Sequence, residues 1–263
     1  MPNRALLTAA TGMQVQQQNV DNIANNLANA STNGYKRTRL EFQDLLYQNM
    51  RTAGGAASAS TNLPVGLQIG MGARSIASEK IFIQGETKET QNPLDIMIEG
   101  SGFFQIRQAN GDIAYSRSGQ FHLNNQGQVV TAGGDVLEPA ITIPTEAVSL
   151  TIGKDGTVST TLQGQTNAQT VGQIQLAVFA NPAGLEALGG NLYRETGASG
   201  QATIGTPGAT GIGALTQGYL EGSNVSVVEE LVNMISAQRS YETNSKVITT
   251  ADRMLGTINQ AVN

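Results

Sequence analysis

The stretch NVDNIANNLANASTNGYKR, residues 19–37, decides the fold, because a helix runs into it and stops inside it. Five asparagines, Asn19, Asn22, Asn26, Asn29 and Asn33, recur at alternating spacings of three and four, the period of one helical face. Asparagine is a mediocre helix former, since its amide competes for nearby backbone groups, so an ordinary water-facing surface is built more cheaply from Glu, Lys, Gln or Arg. Opposite the asparagines, Leu6, Met13, Val20 and Leu27 recur every seven residues, with Ala9, Ile23 and Ala30 beside them. Gly34 stands where a left-handed helix cap belongs. The pattern predicts a helix from about residue 4 to about residue 31.

Two readings of the asparagine face stand side by side: a solvated polar surface, or a face packed on helices of other subunits. Residues 1–34 carry only Arg4 and Asp21 as charges, which favours packing. Amides donate and accept, so repeated copies can pair through Asn19, Asn22, Asn26, Asn29 and Asn33 without stacking like charges.

The other end of the chain has the same periodicity. In SNVSVVEELVNMISAQRSYETNSKVITTADRML, residues 223–255, Ser226 and Glu229 have the spacing of a capping box. Behind them Val227, Leu231, Met234, Tyr241, Ile248 and Leu255 fall on one seam, with Val228, Val232, Ile235, Val247, Ala251, Met254 and Ile258 alongside. The predicted helix spans about 35 residues, or roughly 50 Å. Two such helices flanking one domain pair most simply as an antiparallel coiled coil. The expected seam is Leu6, Met13, Val20, Ile23 and Leu27 against Leu231, Met234, Ile235, Tyr241, Ile248 and Leu255. Burying one apolar stripe does not offset the conformational entropy of ordering a long helix, so the outer faces are expected to find further partners.

Between the helices the chain is rich in hairpin signals. GFFQIRQANGDIAYSRSGQFHLNNQGQVVTAGG alternates short apolar runs with Asn110-Gly111 and Asn125-Gln126-Gly127, and Asp155-Gly156 divides two β-branched runs. Residues 179–223, with more Gly, Ala, Thr and Pro, read as long surface loops of the same domain. Residues 35–50 admit a short helix or an extended path, and a small-residue stretch follows. The expected class is α+β: a helical domain from residues 1–34 and 224–263, an extended connector over 35–72, and an antiparallel β domain over 73–223.

Composition removes whole classes of function. Charged residues make up only 13 % of the 263 and glycines number 31, a surface that favours packing on other proteins. A net charge of −5 with no concentrated basic face argues against a nucleic-acid partner. The chain has no cysteine, which excludes disulfides, thiolate metal sites and Cys nucleophiles, and a single histidine, His122. No apolar run approaches a membrane span, and the N-terminus lacks the apolar core of a secretory signal. The glycine-rich pieces GMGARS and GATGIGALTQG lack the spacing of a dinucleotide or phosphate loop. Asp95, Glu99 and Asp112 are the carboxylates that a glycan hydrolase would need to converge, and nothing in their spacing demands it. No catalytic, cofactor-binding or metal-binding residue is assigned.

The terminal motifs bear a resemblance. NNLANASTNGYKR and the C-terminal stretch quoted above resemble the N- and C-terminal signatures of the bacterial flagellar rod and hook proteins. DLLYQNMR, LPVGLQIGMGAR, GFFQI, VVTAGGDVLEPAITIP, NLYRET and QGYLEGSNV are similar to the distal-rod branch of that family. The resemblance implies a structural subunit that polymerises into a helical tube, transmits motor torque to the hook and encloses an export channel. It implies self-association, with proximal rod proteins, the hook protein, the P and L rings around the rod and the type III export apparatus as partners. It places the protein in the basal body across the periplasm, exported without a cleaved signal peptide, with termini disordered before assembly. It also recasts the connector, including Tyr35, Leu45, Leu46, Tyr47 and Pro64, as an ordered segment that bridges subunits. A proximal rod or hook-like protein is the alternative within the family; a cell-wall glycan hydrolase and a coiled-coil adhesin are the alternatives outside it.

Overall fold

The computed structural model describes residues 2–52, 56–58, 61–62, 64–164 and 167–262. It is α+β, with helix α1 over Pro2–Ala28, helix α2 over Val227–Val262 and antiparallel strands between them. The chain divides into two compact units, one made of residues 1–28, 38–79 and 226–263, the other of 29–37 and 80–225.

In the helical unit α1 and α2 pack on each other. Ser226 caps α2 as its spacing predicts: its hydroxyl oxygen accepts the Glu229 amide at 3.4 Å and its carbonyl the Glu230 amide at 3.0 Å. The side of α2 with least exposure follows a heptad through Glu230, Met234, Ala237, Asn244, Ile248, Ala251 and Leu255. On α1 the most buried apolar positions are Ala9, Val15 and Ile23. Gly12 lets the helices approach closely, since a Cβ there would come within 2.9 Å of the Asn244 amide nitrogen.

The connector is neither a helix nor a single extended strand. It folds back on itself as a two-stranded ribbon: Thr38–Asp44 pairs with Ala73–Lys80, Tyr47–Arg51 with Leu67–Gly70, and Ala56–Ser58 with Thr61–Asn62. Its base lies against α1. Gly72, at φ +115, passes so near that a Cβ would collide with the Thr11 hydroxyl, and Ser75 donates to the Gln18 side chain at 2.6 Å.

The β unit is built on strand Phe103–Arg107, which pairs with Ile113–Ser116, Val136–Glu138 and Leu176–Val178 at the centre of a nine-stranded sheet among the described residues. Its core holds Ile98, Phe104, Ile106, Phe121, Leu137 and Leu176. The turn signals are placed where the sequence puts them: Gly111, Gly127 and Gly156 all take positive φ between paired strands. Residues 179–223 are only partly loops: five short strands interrupt the turns. Glu186–Gly189, Leu192–Arg194, Thr203–Gly205, Ala214–Gln217 and Tyr219–Glu221 are strands, held because Tyr193, Leu215 and Leu220 bury their side chains despite the surrounding glycines.

Candidate functional site

Where α1 ends, the chain does not leave for solvent. Residues 33–37 fold into the β unit and are tied to 221–224, the segment that leads into α2. Gly34 donates its amide to the Glu221 carbonyl at 2.8 Å. The Arg37 amide donates to the Asn224 side chain at 2.7 Å, while Asn224 donates to the carbonyls of Ile81 and Ile83. Asn191 donates to the Asn33 carbonyl at 2.9 Å. Gly34 is required here twice over. Its φ is +72, and a Cβ would sit 2.7 Å from the Ser118 amide nitrogen.

At the centre of this clamp is the Glu221 carboxylate, only 1 % exposed. It accepts the Lys36 ammonium at 2.6 Å, the Gly85 amide at 2.9 Å and the Arg117 Nε. Arg117 spends its other donors on the carbonyls of Ile98, Gly100 and Gly102, and Lys36 donates also to that of Ile83. Burial pushes the Glu221 carboxyl up, but Arg117 and Lys36 outweigh it and hold it below the ordinary carboxylate range. A buried carboxylate shared by two cations, with both oxygens already accepting, is a fastening and not a proton shuttle. Lys36 follows α1, Arg117 follows strand Ile113–Ser116, and Glu221 ends the last strand before α2, so three distant stretches close on one charge.

Tyr35, read from the sequence as part of the connector, belongs to this clamp instead. It is buried, with the Lys80 ammonium 5.3 Å from its ring centre. Leu45 holds the ribbon's bend through its amide to the Gly72 carbonyl at 2.8 Å. Leu46 is 87 % exposed, Tyr47 lies over Gly70, and Pro64 is exposed.

The asparagine stripe is divided among several partners. Asn22 and Asn26 both donate to the Thr38 carbonyl at 2.8 Å, and the Thr38 amide donates back to Asn26, which is 1 % exposed. These two amides therefore do not point away from the molecule; they hold the chain's own ribbon. Asn29 accepts the Thr32 hydroxyl in the turn after α1, and Asn19 is half-buried.

Of the apolar residues read as one seam, Ile23 is buried and Leu6, Met13, Val20, Leu27, Met234, Ile248 and Leu255 are half-buried. Leu231, Ile235 and Tyr241 remain exposed in the single chain. Periodicity could not separate the less exposed face of α2 from the next one round, because Met234 and Ala237 on the one lie beside Leu231 and Ile235 on the other. Arg117 and Glu221 went unseen in the sequence. The available signal was a lone charge inside an otherwise apolar or small stretch, YSRSG and YLEGSNV, in a chain this poor in charge.

Chemistry elsewhere is sparse. No group of three His, Cys, Asp or Glu among the described residues could hold a metal ion. His122 is exposed on a short strand. Asp95 accepts the Asn92 amide and Asp112 that of Asn110, each within a turn, while Glu99 is exposed at the end of a strand. No helix among the described residues is long and apolar enough to cross a membrane.

Comparison with known proteins gives these features a family. Residues 6–36 match the family of flagella basal body rod proteins, 97–160 the D1 domain of the flagellar hook proteins FlgE, FlgF and FlgG, and 216–261 the FlgEFG C-terminal region. Lys36, Arg117 and Glu221 fall one in each segment. The chain is 51 % identical over 256 residues to the flagellar basal-body rod protein FlgG of Buchnera aphidicola from Schizaphis graminum, covering 97 % of this chain and 98 % of that one. It is 51 % identical to FlgG of Caulobacter vibrioides, covering 98 % of each, and 41 % identical to FlgG of Bacillus subtilis, covering 96 % of each. A chain with this likeness over nearly its whole length, and with both terminal signatures clamped to one buried carboxylate, belongs to the bacterial flagellar rod and hook protein family and is a structural subunit of the basal-body rod.

Proposed function

We propose that the protein forms the distal rod, polymerising into a helical tube that carries torque to the hook and encloses the export channel. The full-length likeness to FlgG chains supports the placement in the rod. The observation that carries polymerisation is the open apolar face at the start of α2, where Val228 is 73 % exposed and Val232, Ile235 and Leu231 accompany it. Such a face is unfavourable in water and suits further helices of the same kind. In this reading α1 and α2 form an antiparallel coiled coil. Gly12 and Asn244 touch at nearly equal chain distances from the two ends rooted in the clamp, which supports that direction.

Leu231, Ile235 and Tyr241 then pack between subunits, with Asn19, Asn29 and Asn33 as polar contacts. The ribbon, with Leu46, Tyr47 and Pro64 exposed, bridges neighbours and stiffens the tube. The remaining partners are the proximal rod proteins, the hook protein, the P and L rings and the type III export apparatus, and the rod crosses the periplasm without signal cleavage. No catalytic step is assigned.

Deleting the gene and resolving basal bodies from the mutant and the complemented strain by electron cryomicroscopy tests this reading. The expected result is a rod truncated below the hook that the full chain restores. A complete rod in the deletion strain overturns it.

A further inference from the structure

Helix α1 has three faces. One meets α2, a second meets the ribbon through Thr11, Gln18, Asn22 and Asn26, and a third stays open, carrying Leu7, Gln14, Gln17, Asp21 and Ala24. These five recur at the spacing of a second heptad stripe. Asp21 is the single carboxylate among the first 34 residues, and among the described residues only the Gln17 amide meets it, at 3.1 Å.

Helix α2 carries the opposite charge in a matching place. Its open face continues from Val228, Val232 and Ile235 into a shallow groove that also includes Arg239 and Thr243. Arg239 is exposed, and no carboxylate lies within ion-pair distance of it among the described residues.

From this complementarity we infer that the groove on α2 receives the open face of α1 from a second copy of this chain, with Asp21 of one copy paired to Arg239 of the next. The inference rests on the polymer proposed above and assigns its lateral contact. The two surfaces are different, so each copy offers one of each, and joining them head to tail leaves an open array instead of a closed dimer. In the antiparallel arrangement, stepping from the Gly12–Asn244 contact brings Asp21 level with Ile235, one helical turn from Arg239. A neighbour displaced by about 6 Å along the axis aligns the two charges. Apolar side chains around the pair exclude water and raise its contribution above that of an exposed pair.

The natural absence of cysteine makes the test clean. Asp21→Cys and Arg239→Cys are introduced together in the full chain, basal bodies are isolated and oxidised, and the protein is run without reductant. A ladder of dimers, trimers and higher multimers is expected, and neither single-cysteine variant gives more than dimers. Incorporation into basal bodies without a ladder overturns the contact while leaving the rod assignment standing; absence of the wild-type chain from basal bodies would remove that assignment itself. Charge reversal supplies the second measurement. Asp21→Arg and Arg239→Asp should each lower incorporation by at least about tenfold, and the double exchange should restore most of it. Wild-type incorporation of both single variants, or failure of the double exchange to restore it, overturns the pairing.

Discussion

Lys36 places its ammonium 2.6 Å from a carboxylate oxygen of Glu221, a residue 185 positions further along the chain. The contact ties the end of the N-terminal signature to the segment from which the last helix departs. Both side chains are about 1 % exposed, so the pair is insulated from salt and water, and Arg117 adds a second cation to the same carboxylate.

Removing the carboxylate should therefore cost more than removing either cation. Glu221→Gln leaves Lys36 and Arg117 buried with no counter-charge and is expected to destabilise the chain by about 3–5 kcal/mol. Lys36→Met leaves the Arg117 pair in place and should cost less. Urea unfolding of the full chain followed by tyrosine fluorescence reads the order; equal losses would show that Glu221 is not the hub.

Acid should act through the same group. The Glu221 carboxyl titrates lower in the fold than in the unfolded chain, so the unfolded chain takes up its proton first as pH falls. The stabilisation is full above the ordinary value of 4.5 and drains away as pH drops through the lower folded value. Thermal midpoints measured between neutral and acidic pH should decline across that window, and Glu221→Gln should flatten the decline.

Two glycines with similar φ separate backbone conformation from packing. Gly111, at +90, has no atom within 4 Å of the place a Cβ would occupy, so Gly111→Ala should cost only about 1 kcal/mol. Gly34→Ala adds a collision with the Ser118 backbone to the same conformational cost and should lose at least about 3 kcal/mol. Comparable denaturation midpoints for the two variants would contradict the clamp geometry.

The ribbon is held by amides that belong to α1. Asn26→Ala removes both a donor to the Thr38 carbonyl and the acceptor of the Thr38 amide. Hydrogen exchange at Thr38 is expected to quicken by about tenfold or more, corresponding to the roughly 1–3 kcal/mol of an unsatisfied buried group. Asp21→Ala, on the open face of the same helix, should leave that amide unchanged.

Leu27→Asp tests the helix pairing. An unpaired charge on the partly buried side of α1 should block incorporation into basal bodies, while the β unit keeps its unfolding transition. Normal rods from this variant would remove Leu27 from the packing surface.

Local chemistry made much of this protein readable from its residues in order. The helices of both termini, the Ser226 cap and the Asn110-Gly111 and Asp155-Gly156 turns need only neighbours within a few positions, and each appears in the structure. Tertiary structure decided what those elements meet. Asn22 and Asn26 share a period with Asn19 and Asn29, yet their amides close on Thr38 because the connector folds back along α1. Leu231 and Met234 share an apolar stretch, yet only Met234 turns toward the less exposed side of α2. The strands among residues 186–221 looked like loops because glycine turns outnumber the few side chains that bury. Lys36, Arg117 and Glu221 carry no periodic signal at all: a buried ion cluster is defined by where the chain crosses itself, and spacing along the sequence does not encode that crossing.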